Sequence, residues 1–141
     1  MANRMRNGKG YEHTIIGLLI LEGFDVYQPV VDDQGIDGII RILGKEGTPP
    51  KYYELQVKGS KTWDKIRCKV EPLTKHEGVL ILYCAESREI LWFLDNELAE
   101  LFPPVSQEWG DIFLKSESVD KFKEEGRGSP SELLKRLTNS K

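Results

Sequence analysis

Cysteine is scarce in this chain of 141 residues, and what is missing with it narrows the field. Cys68 and Cys84 show no CxxC spacing, so neither a disulfide framework nor a cysteine-based zinc site is indicated. Cys84, inside "VLILYCA", reads as a small buried hydrophobe. No apolar run approaches bilayer length; the stretch from Ile15 to Leu21 is short and lies between Glu12 and Glu22. Arg4, Arg6 and Lys9 are not followed directly by the apolar core of a secretory signal. There is no internal repeat and no low-complexity tract. We expect a cytoplasmic protein with reduced thiols.

An excess of positive charge is also missing. The net charge of −3 argues against a simple polyanion binder, but the charges are unevenly spread. Residues 58–69, "KGSKTWDKIRCK", hold five basic residues and one acid, whereas residues 95–125 hold nine acids and three lysines. One region is therefore positive while another is acidic. A solvated basic face is the plain alternative.

The length suits one domain with a real core. "GYEHTIIGLLILEGF" has helical spacing, with Ile15, Ile16, Leu19 and Ile20 in one stripe and Gly23 as terminator. "FDVYQPV" reads as a strand, "VDDQG" as a turn, "IDGIIRILG" as a second strand and "KEGTPPK" as a loop. "IRCKV" is a further strand candidate, followed by a helical turn after Pro72. "GVLILYCA" and "EILWFL" predict a hairpin across Glu86, Ser87 and Arg88. A helix then starts with Asp95 as N-cap and ends before Pro103 and Pro104. "DIFLK" suggests another strand. After "GRGSP", Ser129, Pro130 and Glu132 open a last helix with a capping box. This organisation predicts a main α/β body over residues 1–125, with a joint and C-terminal helix over 126–141 packed on it.

Between these elements lies "YYELQVKGS", residues 52–60. On a strand, alternate side chains share a face. Tyr53, Leu55 and Val57 then make an apolar face, and Glu54, Gln56 and Lys58 a polar one. An acid, an amide and an amine in one stripe read either as a solvated edge or as half of a metal site.

The order of a helix bearing Glu12, a strand led by Asp37 in "GIDGII", and a strand carrying "QVK" resembles the PD-(D/E)-x-K phosphodiesterase superfamily, with its restriction-endonuclease-like fold. "GKGYEHTIIGLLILEGFDV" is similar to the opening of small archaeal Holliday-junction resolvases. The Q-x-K variant resembles the Mrr-like restriction branch. The resemblance spans residues 8–60. It implies an α/β fold with a mixed central sheet flanked by helices, and a Mg²⁺-dependent endonuclease, with Mn²⁺ as substitute, acting on DNA as a homodimer. It further implies that Asp37 and Gln56 bind the ion, that Lys58 assists the nucleophile, and that Glu12 completes the site. The Val57 carbonyl and Glu54 are further ligand candidates.

Cleaving a phosphodiester places charge on nonbridging and leaving oxygens, which a hard cation stabilises. Mg²⁺ takes oxygen ligands and only one or two carboxylates. Gln56 replaces the commoner acid, so it offers a neutral oxygen and one charge fewer. Lys61, Lys65, Arg67 and Lys69, together with Lys58, are the candidate phosphate contacts, with Arg4, Arg6 and Lys9 as a second group. Ordinary roles stand beside these. Asp37 also fits a turn acid, Lys58 an edge-guarding lysine, Glu12 a first-turn acid on the helix dipole, and Trp63 a packing residue. The alternative functions are a catalytically idle nuclease-like fold binding nucleic acid or a protein, and an interaction domain with no nucleic-acid role.

Overall fold

In the computed structural model, residues 2–28, 36–66, 78–102 and 114–139 are described. The first helix, α1 (Ala2–Glu22), starts earlier than the apolar stripe predicts. Residues 2–9 carry no apolar repeat in the sequence, yet Arg4, Met5, Arg6 and Lys9 are good helix formers. Gly23 ends the helix at φ 107°, where the Gly23 amide donates to the Ile20 carbonyl at 3.0 Å and Phe24 to Leu19 at 2.9 Å. Glu12 therefore sits in mid-helix, away from the first turn and its dipole.

Five strands form one sheet in chain order: β1 (Asp25–Tyr27), β2 (Gly38–Ile42), β3 (Lys51–Ser60), β4 (Gly78–Cys84) and β5 (Glu89–Leu94). β3 and β4 run parallel and the other neighbours antiparallel, so the sheet is mixed. The strand "YYELQVKGS" is the central one of the five. "VDDQG", most of "IRCKV" and the turn after Pro72 lie outside the described residues.

The two faces of the sheet are covered unequally. On one, Ile15, Ile16 and Leu19 of α1 and Leu133 and Leu137 of α4 (Pro130–Thr138) pack on Ile40, Leu55, Val57, Ile81 and Trp92. On the other, Leu98 of α2 (Asp95–Leu101) and Val119 and Phe122 of α3 (Ser116–Glu124) cover Leu80, Leu82, Leu91 and Phe93. That second layer reaches β4 and β5, and every residue of β4 is buried. β3 alternates buried Tyr53, Leu55 and Val57 with half-buried Glu54 and Gln56 and exposed Lys58.

The helix after β5 opens one residue earlier than its sequence suggests. Leu94 is the N-cap and receives the Glu97 carboxylate on its amide at 2.9 Å, so Asp95 is the first helical residue, turned inward and 5% exposed. Lys115 caps α3 where "DIFLK" suggested a strand; residues 111–113 are outside the described set. The Ser129 hydroxyl accepts from the Glu132 amide at 3.3 Å, which is half of the expected capping box. The other half is replaced, because the Ser129 amide donates to the Gly126 carbonyl and the Glu132 carboxylate meets Lys135. Between α3 and α4, buried Arg127 grips both carboxylate oxygens of Glu97, at 2.5 and 3.1 Å, and lies 5.1 Å from the Trp92 and Phe93 ring centroids. Among the described residues, no helix is long and apolar enough to cross a membrane.

Candidate active site

Asp37, with Glu12 and Lys58 near enough to act on it, lies where β2 begins beside the middle of β3. The Asp37 amide donates to the Leu55 carbonyl at 2.8 Å, and the Val57 amide donates to Asp37 Oδ2 at 2.7 Å. The Asp37 side chain thus continues the β2–β3 ladder one step past its last backbone pair, which fixes its carboxyl against the strand. Val57 enters the site through its amide.

From the helix above, Glu12 reaches the same point. Glu12 is close enough to raise the Asp37 carboxyl through a side-chain hydrogen bond and its charge. Burial first, then this bond and the Glu12 charge, push the Asp37 carboxyl up from 3.8 to about 7, against the lowering pull of the Val57 amide and the Lys58 cation. The other side of Glu12 faces Lys9, whose Nζ lies 3.3 Å from Oε2; the Glu12 side chain is 16% exposed. Gln56 carries a buried side-chain oxygen, Oε1, on the strand segment that presents Lys58.

β3 is central in the sheet, but β2 pairs it only as far as Leu55, so residues 56–60 are paired on the β4 side alone and Lys58 is exposed there. The described polar groups at this point are the Asp37 carboxyl, the Glu12 carboxyl that acts on it, and the Gln56 and Lys58 side chains of β3. The atoms they offer a cation are oxygens, which suits a hard one. Among the described residues, no three Asp, Glu, His or Cys side chains converge, so an ion here would rest on two carboxylates and a neutral amide oxygen.

Glu54 belongs to a different neighbourhood. Its charge acts on Asp95, whose carboxyl is raised to about 7 by burial first and by Glu54 second. Gly78, paired with Glu54 in the β3–β4 register, leaves the space that Asp95 fills: a Cβ there would stand 2.6 Å from Asp95 Oδ2. Sequence reasoning missed Asp95 because capping preference assigned it an exposed N-cap role, and no local pattern marks it otherwise.

Of the basic candidates, Lys58, Lys61 and Lys65 are exposed, with Lys65 closing a 3₁₀ turn over Trp63–Lys65. Arg67 and Lys69 lie outside the described residues, and Arg4 and Arg6 fall in the first turns of α1. Trp63 is half-buried and packs on the second-face core. Cys84 is buried, and its thiol donates to the Lys61 carbonyl at 3.4 Å.

No family model matches the chain, and no curated protein is similar to it in sequence. In structure it is similar to a bacterial homing endonuclease, with a TM-score of 0.60 over 94% of this chain and 92% of that one, at 16% identity. The likeness is one of fold: the chain has a nuclease-like α/β fold.

Proposed function

We propose that the protein is a metal-dependent endodeoxyribonuclease of the PD-(D/E)-x-K type. The observation that carries the reading is the Asp37 carboxyl, fixed to the central strand by the Val57 amide and within reach of both Glu12 and Lys58. A half-buried carboxyl raised to about 7 is open to a cation that displaces its proton. Asp37 and Gln56 would hold Mg²⁺, with Glu12 as an added ligand. The ion supplies charge neutralisation at the phosphodiester and acidifies a water.

The chain's own residues do the rest. Val57 orients Asp37 through its amide. Lys58, an exposed point charge close enough to act on Asp37, meets the scissile phosphate or the attacking oxygen. Lys61 and Lys65 extend the positive surface along the substrate backbone. Cutting both strands of a duplex requires two such sites, which a homodimer provides.

The test is nicking of supercoiled and branched DNA with Mg²⁺ or Mn²⁺. The parent should cut, and Asp37→Asn should not cut while still binding DNA. Gln56→Glu should retain ion binding at least as tight as the parent's, because it adds a charge to the donor set. DNA binding without cleavage in every metal would leave the nuclease-like fold as a binding module, and no ion-dependent change at all would refute the metal centre.

A further inference from the structure

The position of Glu12 depends on how closely α1 approaches β3, and that distance is set one residue away on each element. Tyr11 precedes Glu12, and Gly59 follows Lys58. A Cβ placed on Gly59 would lie 2.6 Å from Tyr11 Cδ2, 2.9 Å from Cγ and 3.2 Å from Cε2. The clash is therefore with the root of the ring, which cannot swing away without moving the helix backbone. The far side of the ring is also occupied: its centroid is 5.5 Å from that of Tyr83, the residue paired with Gly59 on β4. Gly59 has no positive φ, so its conformation is open to any residue. Alanine in a strand would ordinarily be favoured there. The glycine serves closeness alone.

We propose that Gly59 and Tyr11 form a positioning contact that lets α1 settle deep enough for Glu12 to reach Asp37. Adding one methyl group forces the ring, and α1 with it, away from the strand by several tenths of an ångström or more. Glu12, the next residue, then loses its place against Asp37. Ile15, Ile16 and Leu19 still bury the rest of the helix, so the fold survives the displacement. This inference rests on the metal-centre reading of Glu12.

The experiment is Mn²⁺ titration of the full chain in five forms: the parent, Gly59→Ala, Glu12→Gln, Gly59→Ala with Glu12→Gln, and Gly59→Ala with Tyr11→Ala. Melting temperatures are recorded on each. Gly59→Ala should weaken Mn²⁺ binding by about tenfold or more, the usual effect of disturbing what holds a ligand. On the Glu12→Gln background it should cost no further affinity, since the residue it positions has already lost its charge. Removing the ring in Gly59→Ala with Tyr11→Ala should recover most of the affinity, and this form also serves if Gly59→Ala alone does not fold. A purely structural role would lower the melting temperature on both backgrounds and leave affinity alone. Unchanged affinity in Gly59→Ala, an equal loss on the Glu12→Gln background, or no recovery without the ring would each overturn the proposal. A parent that binds no Mn²⁺ would instead remove the metal centre itself, and this role with it.

Discussion

Asp37→Asn should make the ion-free protein more stable at pH 8 while destroying its response to metal. The folded-state pKa of Asp37 stands at about 7 against an ordinary 3.8. A carboxyl raised in this way favours the folded state when protonated. Its stabilising contribution is complete below about pH 4, declines as pH rises, and is gone once pH has passed through 7. A shift of about three units sets a ceiling of ~4 kcal/mol at ~1.36 kcal/mol per unit. Asp37 is only partly buried, so solvent screening reduces the realised effect to about 1–2 kcal/mol. Asparagine removes the charge but keeps a side-chain oxygen for the Val57 amide. In EDTA, urea melts of the two forms should coincide near pH 4 and separate between pH 4 and 7. At pH 8 the Asn form should hold the advantage, worth several degrees of melting temperature in a chain of this length. Saturating Mn²⁺ should reverse the order, because only the parent gains stability from bound ion. An Asn form less stable than the parent at pH 8 in EDTA, or an advantage independent of pH, would refute the picture of a strained carboxyl pair.

Asp95→Asn should show the same window for a different reason: burial and Glu54 raise that carboxyl to about 7, so the Asn form should gain on the parent as pH rises from 4 to 7 in thermal melts, with ion binding at Asp37 intact. Replacing Lys61 and Lys65 together by Ala should flatten the plot of log DNA affinity against log salt by about 1.8, at ~0.9 for each duplex phosphate that is no longer neutralised. Arg127→Met should cost about 3–5 kcal/mol in urea denaturation by leaving the Glu97 carboxylate buried without its bidentate partner; adding Glu97→Gln should return part of that loss.

What the sequence disclosed follows from which forces act locally. Tyr53, Leu55 and Val57 alternate with Glu54, Gln56 and Lys58 because one face of β3 is more deeply buried than the other, and such a face pattern is visible in a strand read alone. β4 reads as an unbroken apolar run because helices cover it on both sides. The order of Glu12, Asp37, Gln56 and Lys58 was likewise legible. The approach of Glu12 to Asp37 was not, since periodicity cannot bring a mid-helix acid to a residue 25 positions later. α3 escaped notice because Val119 and Phe122 are its buried residues, a stripe too thin to stand out among Ser, Glu, Asp and Lys. Asp95 was misassigned because the cap at Leu94 is made by its backbone and Glu97, a pairing that a residue-type preference does not register.

The first helix and the fourth lie against the same side of the sheet, with Leu133 and Leu137 in the cluster that buries Ile15, Ile16 and Leu19. During synthesis α1 emerges long before the strands that receive it, and α4 follows them all. The nascent chain must therefore carry an exposed amphipathic helix until nearly the whole domain has been translated. Trp92, whose indole nitrogen donates to the Gly126 and Ser129 carbonyls, gains those partners only with the late segment. A ribosome stalled short of α4 would hold all five strands with the apolar face that receives Leu133 and Leu137 still open to chaperones.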